Sequence, residues 1–120
     1  MSSRLTYDRP RFEPPHRVLL LVAANGGWWH ASQEQREALL PHLARLLEGS
    51  EHGARLLASF DDDYFMTGDP TSIPFSMHLI YEVDDPDAIV GMIHEVRSSE
   101  LGQYMRFEAR IGRRLFLLDR

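Results

Sequence analysis

The chain has 120 residues, enough for one domain with a single core, and its 43% hydrophobic and 26% charged residues are an ordinary globular balance. A net charge of -5 argues against a general nucleic-acid binder, which would carry a basic stripe. Cysteine is absent and all 13 basic residues are arginine, so disulfides, thiolate metal sites, cysteine nucleophiles, Schiff-base lysines and P-loops are excluded together.

Residues 1–15, with Pro10, Pro14 and Pro15 among mixed charges, read as an extended N-terminal arm, and 16–120 as a single domain. Arg17 to Ala24 is an almost continuous apolar run, the pattern of a central strand buried on both faces. It is far shorter than the ~20 residues of a membrane span, and the polar N-terminus shows no signal peptide, so a soluble cytoplasmic protein is expected. Asn25-Gly26-Gly27 ends the strand as a loop. Ser32 then opens a helix, with Gln35 completing a capping box and Leu39, Leu40, Leu43, Leu46 and Leu47 forming an apolar stripe. Pro41 inside that stripe predicts a kink or break, and Gly49 ends the helix.

Ala54 to Asp61 reads as a second strand, followed by a long turn through Asp61-Asp62-Asp63 to Gly68-Asp69-Pro70. A third strand spans Phe75 to Val83, with Phe75, Met77, Leu79, Tyr81 and Val83 on one face and Ser76, His78 and Glu82 on the other. Asp85-Pro86 starts a helix whose stripe is Ile89, Met92, Ile93 and Val96. A last strand from Gln103 to Leu118 turns Met105, Phe107, Ala109 and Ile111 one way and Arg106, Glu108 and Arg110 the other, before Phe116 and Leu118 continue the formerly polar face.

The order βαββαβ is that of an α+β, ferredoxin-like domain with a four-stranded antiparallel sheet in strand order 4-1-3-2. Each helix has one apolar stripe, so both helices cover one face. The other face mixes charge with Ile80, Phe116 and Leu118, which suits pairing with a second copy, a homodimer.

Three groups of residues could carry chemistry. Both tryptophans, Trp28 and Trp29, lie in Asn25-Gly26-Gly27-Trp28-Trp29-His30, at the sheet end that also carries Tyr81, Tyr104 and Arg106. A flat aromatic could lie against a tryptophan, with Asn25 and His30 reaching its polar edge; equally, the tryptophans could cap the sheet end and anchor the first helix. His78 is a satisfied interface histidine or a general base that needs Glu82 or Glu108 to orient it. Asp61-Asp62-Asp63 lacks the ligand spacing of a calcium loop and reads as a solvated hairpin that caps nearby amides. The six histidines have no paired spacing, so no metal, flavin or haem is expected.

Taken together, Asn25 with the aromatics at 28 and 29, the run Asp61-Asp62-Asp63-Tyr64-Phe65-Met66-Thr67-Gly68, and Glu108-Ala109-Arg110-Ile111-Gly112-Arg113 resemble the small IacB-like proteins of indole and indole-3-acetic acid degradation clusters. The resemblance runs over roughly residues 16–115. It implies a dimeric α+β barrel and a cofactor-independent oxygenase acting on an oxidised indole, such as a hydroxyoxindole. Such chemistry needs a base, donors for an enolate oxygen and a dry aromatic pocket. His78 or His30 as base, Asn25 and Arg106 as donors, and Trp28, Trp29, Tyr81 and Tyr104 as walls would meet those needs. The expected partners are a small aromatic substrate, O2 and a second copy of the chain, with no nucleic acid and no membrane. The rival readings are a cofactor-free isomerase or cyclase on the same scaffold, and a non-catalytic dimeric protein that holds an aromatic metabolite.

Overall fold

In the computed structural model, residues 14–62, 67–68 and 76–112 are described. The expected arm over 1–15 therefore lies almost wholly outside them, as do Asp63 to Met66, Phe75, Arg113, Phe116 and Leu118. The elements are β1 (His16–Ala24), α1 (Gly26–His30), α2 (Gln33–Glu48), β2 (Ala54–Asp61), β3 (Met77–Val83), α3 (Asp87–Arg97) and β4 (Met105–Gly112). The strands form one antiparallel sheet in the order β2-β3-β1-β4, the ferredoxin-like arrangement the sequence predicts.

Alternation fixes the two faces of the sheet. Val18, Leu20 and Val22 of β1 and Leu79, Tyr81 and Val83 of β3 are buried beneath the helices. They meet Leu39, Leu43 and Leu46 of α2 and Ile89, Met92 and Val96 of α3 in one core. Burying a side chain such as Leu20 stabilises the fold by about 1.5–3 kcal/mol. The opposite face carries Arg17, Leu19 and Leu21 of β1, His78, Ile80 and Glu82 of β3, and Arg106, Glu108 and Arg110 of β4. No helix covers it among the described residues.

Two local expectations change. The segment after β1 is a short helix rather than a loop, because the Asn25 side chain caps it by accepting from Trp28 N. Pro41 does not break α2, which runs from Gln33 to Glu48. Its ring lies on the solvent-facing side, where water can satisfy the carbonyl one turn back that loses its partner. The capping box of Ser32 and Gln35 is present at the start of the helix. At the other end Gly49 has φ 86°, and a Cβ there would stand 3.1 Å from both Ala54 and Tyr81, so the position requires glycine.

Beyond the core, one polar cluster ties the helical layer together. Glu95 of α3 takes Nε2 of His42 on α2 at 2.6 Å and Nε2 of His52, in the turn before β2, at 2.8 Å. The bond to His52, then that to His42, hold the Glu95 carboxyl below its ordinary value of 4.5. A lowered folded-state value stabilises the protein above the unfolded value, and this contribution is lost as pH falls through the folded one. Thermal melts should therefore show Glu95→Ala well below the parent at pH 7, with the gap closing once the pH is taken below about 4.

Candidate functional site

At the end of the sheet nearest α1 lies a cavity of about 450 Å³. Ala24 and Met105 form its floor, Trp28 and Trp29 of α1 and Leu40 and Leu43 of α2 its walls, and Met77, Ser76, Asp61 and Asp62 the remaining side. The sequence builds it directly. Asn25 caps α1, so the two tryptophans fall on its first turn and a half. Asn25 also donates from Nδ2 to the Gln103 carbonyl at 2.7 Å, while its own amide donates to the Tyr104 carbonyl at 2.9 Å. These bonds lock α1 against the start of β4. Trp28 is buried, with its ring edge-on to Tyr104 at 6.2 Å, whereas Trp29 is 65% exposed at the cavity mouth. Arg36 of α2 donates to the carbonyls of both tryptophans, at 3.3 and 3.4 Å, and closes the C-terminal end of α1.

Asp62 stands where β2 runs out, so it both borders the cavity and reaches around to His78. The distance from His78 Nδ1 to Asp62 Oδ1 is 2.6 Å. Phe60, directly opposite His78 in the strand pairing, stacks on the imidazole at 4.8 Å with the rings 22° apart. The histidine is therefore held by a carboxylate on one side and a ring on the other.

The residues singled out from the sequence fall into three places. Trp28 and Trp29 line the cavity; Asn25 and Tyr104 stand behind it, as helix cap and ring support. His78 and Arg106 lie on the open face of the sheet, on the far side from the tryptophans, and His78 meets the cavity only through Asp62. Tyr81 and His30 line no part of it. Tyr81 is fully buried under α2, where its hydroxyl donates to the Leu47 carbonyl at 2.5 Å and burial pushes its phenol well above the usual range. His30 is exposed at the last position of α1.

The partner of His78 also differs from the expected Glu82 or Glu108. Glu82 is four positions along β3, roughly 13 Å away, and is held by Arg17 and Arg55, each at 3.0 Å. The bond from Arg55 chiefly lowers the Glu82 carboxyl. Glu108 lies across Leu21, two strands over, and pairs with Arg110 at 2.9 Å; Arg106 takes no place in that pair. The hairpin reading of Asp61-Asp62-Asp63 accordingly gives way at Asp62, whose carboxylate holds an imidazole rather than a backbone amide. Periodicity could have placed Asp62 two residues beyond Phe60 on the same face. Its register with His78 stayed hidden because β2 bulges between Leu56 and Ala58, shifting the pairing by one residue.

Among the described residues, no group of three or more His, Asp or Glu is arranged to hold a metal ion, and no helix is long and apolar enough to cross a membrane. No protein-family model and no curated protein matches the chain. Solved structures do. A mutant chlorite dismutase from Candidatus Nitrospira defluvii superposes with a TM-score of 0.62 at 8% identity, over 88% of this chain and 43% of that one. A dimeric chlorite dismutase from Nitrobacter winogradskyi gives 0.57 at 16% identity, over 88% and 61%. The chain thus spans less than two thirds of either relative. At such identities the likeness is one of fold, and it sets this chain beside the ferredoxin-like α+β units found in chlorite dismutases.

Proposed function

We propose that the protein is a cofactor-independent oxygenase that binds an oxidised indole or similar fused aromatic in the tryptophan-lined cavity and removes a proton from it. The observation that carries this reading is Asp62: one carboxylate both borders the aromatic cavity and is held at 2.6 Å by the imidazole of His78. The imidazole engages Oδ1 and leaves Oδ2 to take a proton from an acidic C–H or O–H of the bound ligand. His78 acts as the positioning residue behind the base. The enolate left behind is electron-rich. It is oxidised by O2, forming a carbon–oxygen bond, and the proton held on Asp62 passes to the outer oxygen. Substrate and O2 thereby give an organic hydroperoxide, and the carboxylate is restored. Trp28, Leu43, Met77 and Met105 keep that step dry.

The homodimer belongs to the same reading. Leu19, Leu21 and Ile80 lie half-buried on the open face between the Arg17–Glu82–Arg55 and Glu108–Arg110 ion pairs, an apolar strip with charged borders. Closing two such faces on each other forms a barrel and covers His78. The likeness to a dimeric chlorite dismutase supports that arrangement.

An oxygen electrode tests the reaction. With a hydroxyoxindole as substrate in chelator-treated buffer, the protein should consume one O2 per substrate lost. Substrate turnover with no oxygen uptake would remove the oxygenase and leave an isomerase or cyclase using the same base.

A further inference from the structure

The electrostatics of the cavity go further than its shape. Its walls are aromatic and aliphatic, the charged groups that line it are Asp61 and Asp62, and no arginine or histidine lines it among the described residues; the His78 imidazole meets Asp62 from outside the cavity. The nearest candidates point elsewhere. Arg36 is committed to the carbonyls of Trp28 and Trp29, and Arg106 lies on the opposite face of the sheet. Asn25, the amide best placed to meet an anion, is engaged by Gln103 and Trp28. A ligand carboxylate inside would find aromatic faces, which are negative at their centres, and two carboxylates of like sign.

We infer that the site selects flat aromatics that present N–H, O–H or ammonium donors to Asp61 and Asp62, and rejects aromatic carboxylates of the same size. This rests on the cavity being the binding site of the proposed function, and it narrows the substrate class. A hydroxyoxindole, neutral and carrying both N–H and O–H donors, fits; an indole bearing an acetate side chain does not. The carboxylates also explain why the cavity can be largely apolar and still orient its ligand: two acceptors at one end fix which edge of the ring points inward.

Calorimetric titration reads the outcome, since the probes share the indole chromophore of the two tryptophans that line the cavity. The probes are tryptamine, indole and indole-3-acetate, similar in ring and differing in charge. Saturable binding is expected in the order tryptamine, indole, indole-3-acetate, with tryptamine at least roughly tenfold tighter than the acetate in low salt. Asp61→Asn and Asp62→Asn should each shrink that ratio, by weakening tryptamine and strengthening the acetate. Melting curves show that the variants are folded. Equal or tighter binding of indole-3-acetate by the parent would overturn the inference while leaving proton abstraction by Asp62 standing. Binding in the expected order with neither oxygen uptake nor turnover of a hydroxyoxindole would do the reverse. No saturable binding of any of the three would overturn both.

Discussion

Asp62→Asn should lower turnover by about 10²–10⁴-fold, the usual contribution of a positioned general base, and weaken ligand binding far less than that. The amide keeps the size of the carboxylate and a carbonyl oxygen that can still accept from His78 Nδ1, so the wall at that corner of the cavity survives. What it loses is the capacity to hold a proton. His78→Gln acts one step further back. It leaves the base in place but loosens it, so its loss should be smaller and should fall mainly on kcat. Stability separates these effects from misfolding. Within the single chain the pair is about a third exposed, at 33% and 29%, so neither variant should unfold the chain, and melting curves beside the kinetics check this. If Asp62→Asn turns over as fast as the parent, the base lies elsewhere.

Leu21→Glu should convert the protein from a dimer to a monomer. Leu21 lies at the centre of the open face, between His78 on β3 and Glu108 on β4. A carboxylate there would be buried without a partner in the closed barrel. Leaving one such charge uncompensated costs roughly 3–5 kcal/mol, and twofold symmetry places it there twice, so affinity should fall by about a thousandfold or more. The separated chain should stay folded, because the substitution faces away from the core formed by Leu20 and Val22. Sedimentation velocity at micromolar concentration distinguishes the cases. A parent protein that sediments as a monomer would remove the face-to-face barrel.

The sheet was legible in the sequence because its pattern has only two periods. The apolar run from Arg17 to Ala24 and the strict alternation from Met105 to Gly112 fixed which strands are central and which face is covered, and the βαββαβ order left a single plausible connection. The helix ends were equally plain, since the Ser32 capping box and Gly49 are local signals. Short-range chemistry was read less well. Asn25 carried a capping signal but stood among glycines, which masked a helix of one and a half turns. Tyr81 belongs to the core rather than the pocket, as its own alternation with Leu79 and Val83 shows. The Asp62–His78 pair depends on the register of two strands across a bulge, and no periodicity in either strand encodes that register. The same holds for the two sides of the sheet. His78 and the tryptophans gather at one end of the fold, but only the topology decides that the sheet lies between them and that Asp62 is the link.

In the proposed first step, a carboxylate at the edge of the aromatic cavity takes a proton from what binds there. Exchange of that proton in the absence of oxygen tests it most directly, since it isolates the first step from all that follows. A hydroxyoxindole deuterated at its acidic carbon is incubated anaerobically with the protein in ordinary water, and loss of the label is followed by mass spectrometry. Label loss well above the buffer rate is expected with the parent, reduced by about 10²-fold or more with Asp62→Asn. A parent protein that binds this ligand saturably yet returns it with the deuterium intact would show that Asp62 takes no proton from it.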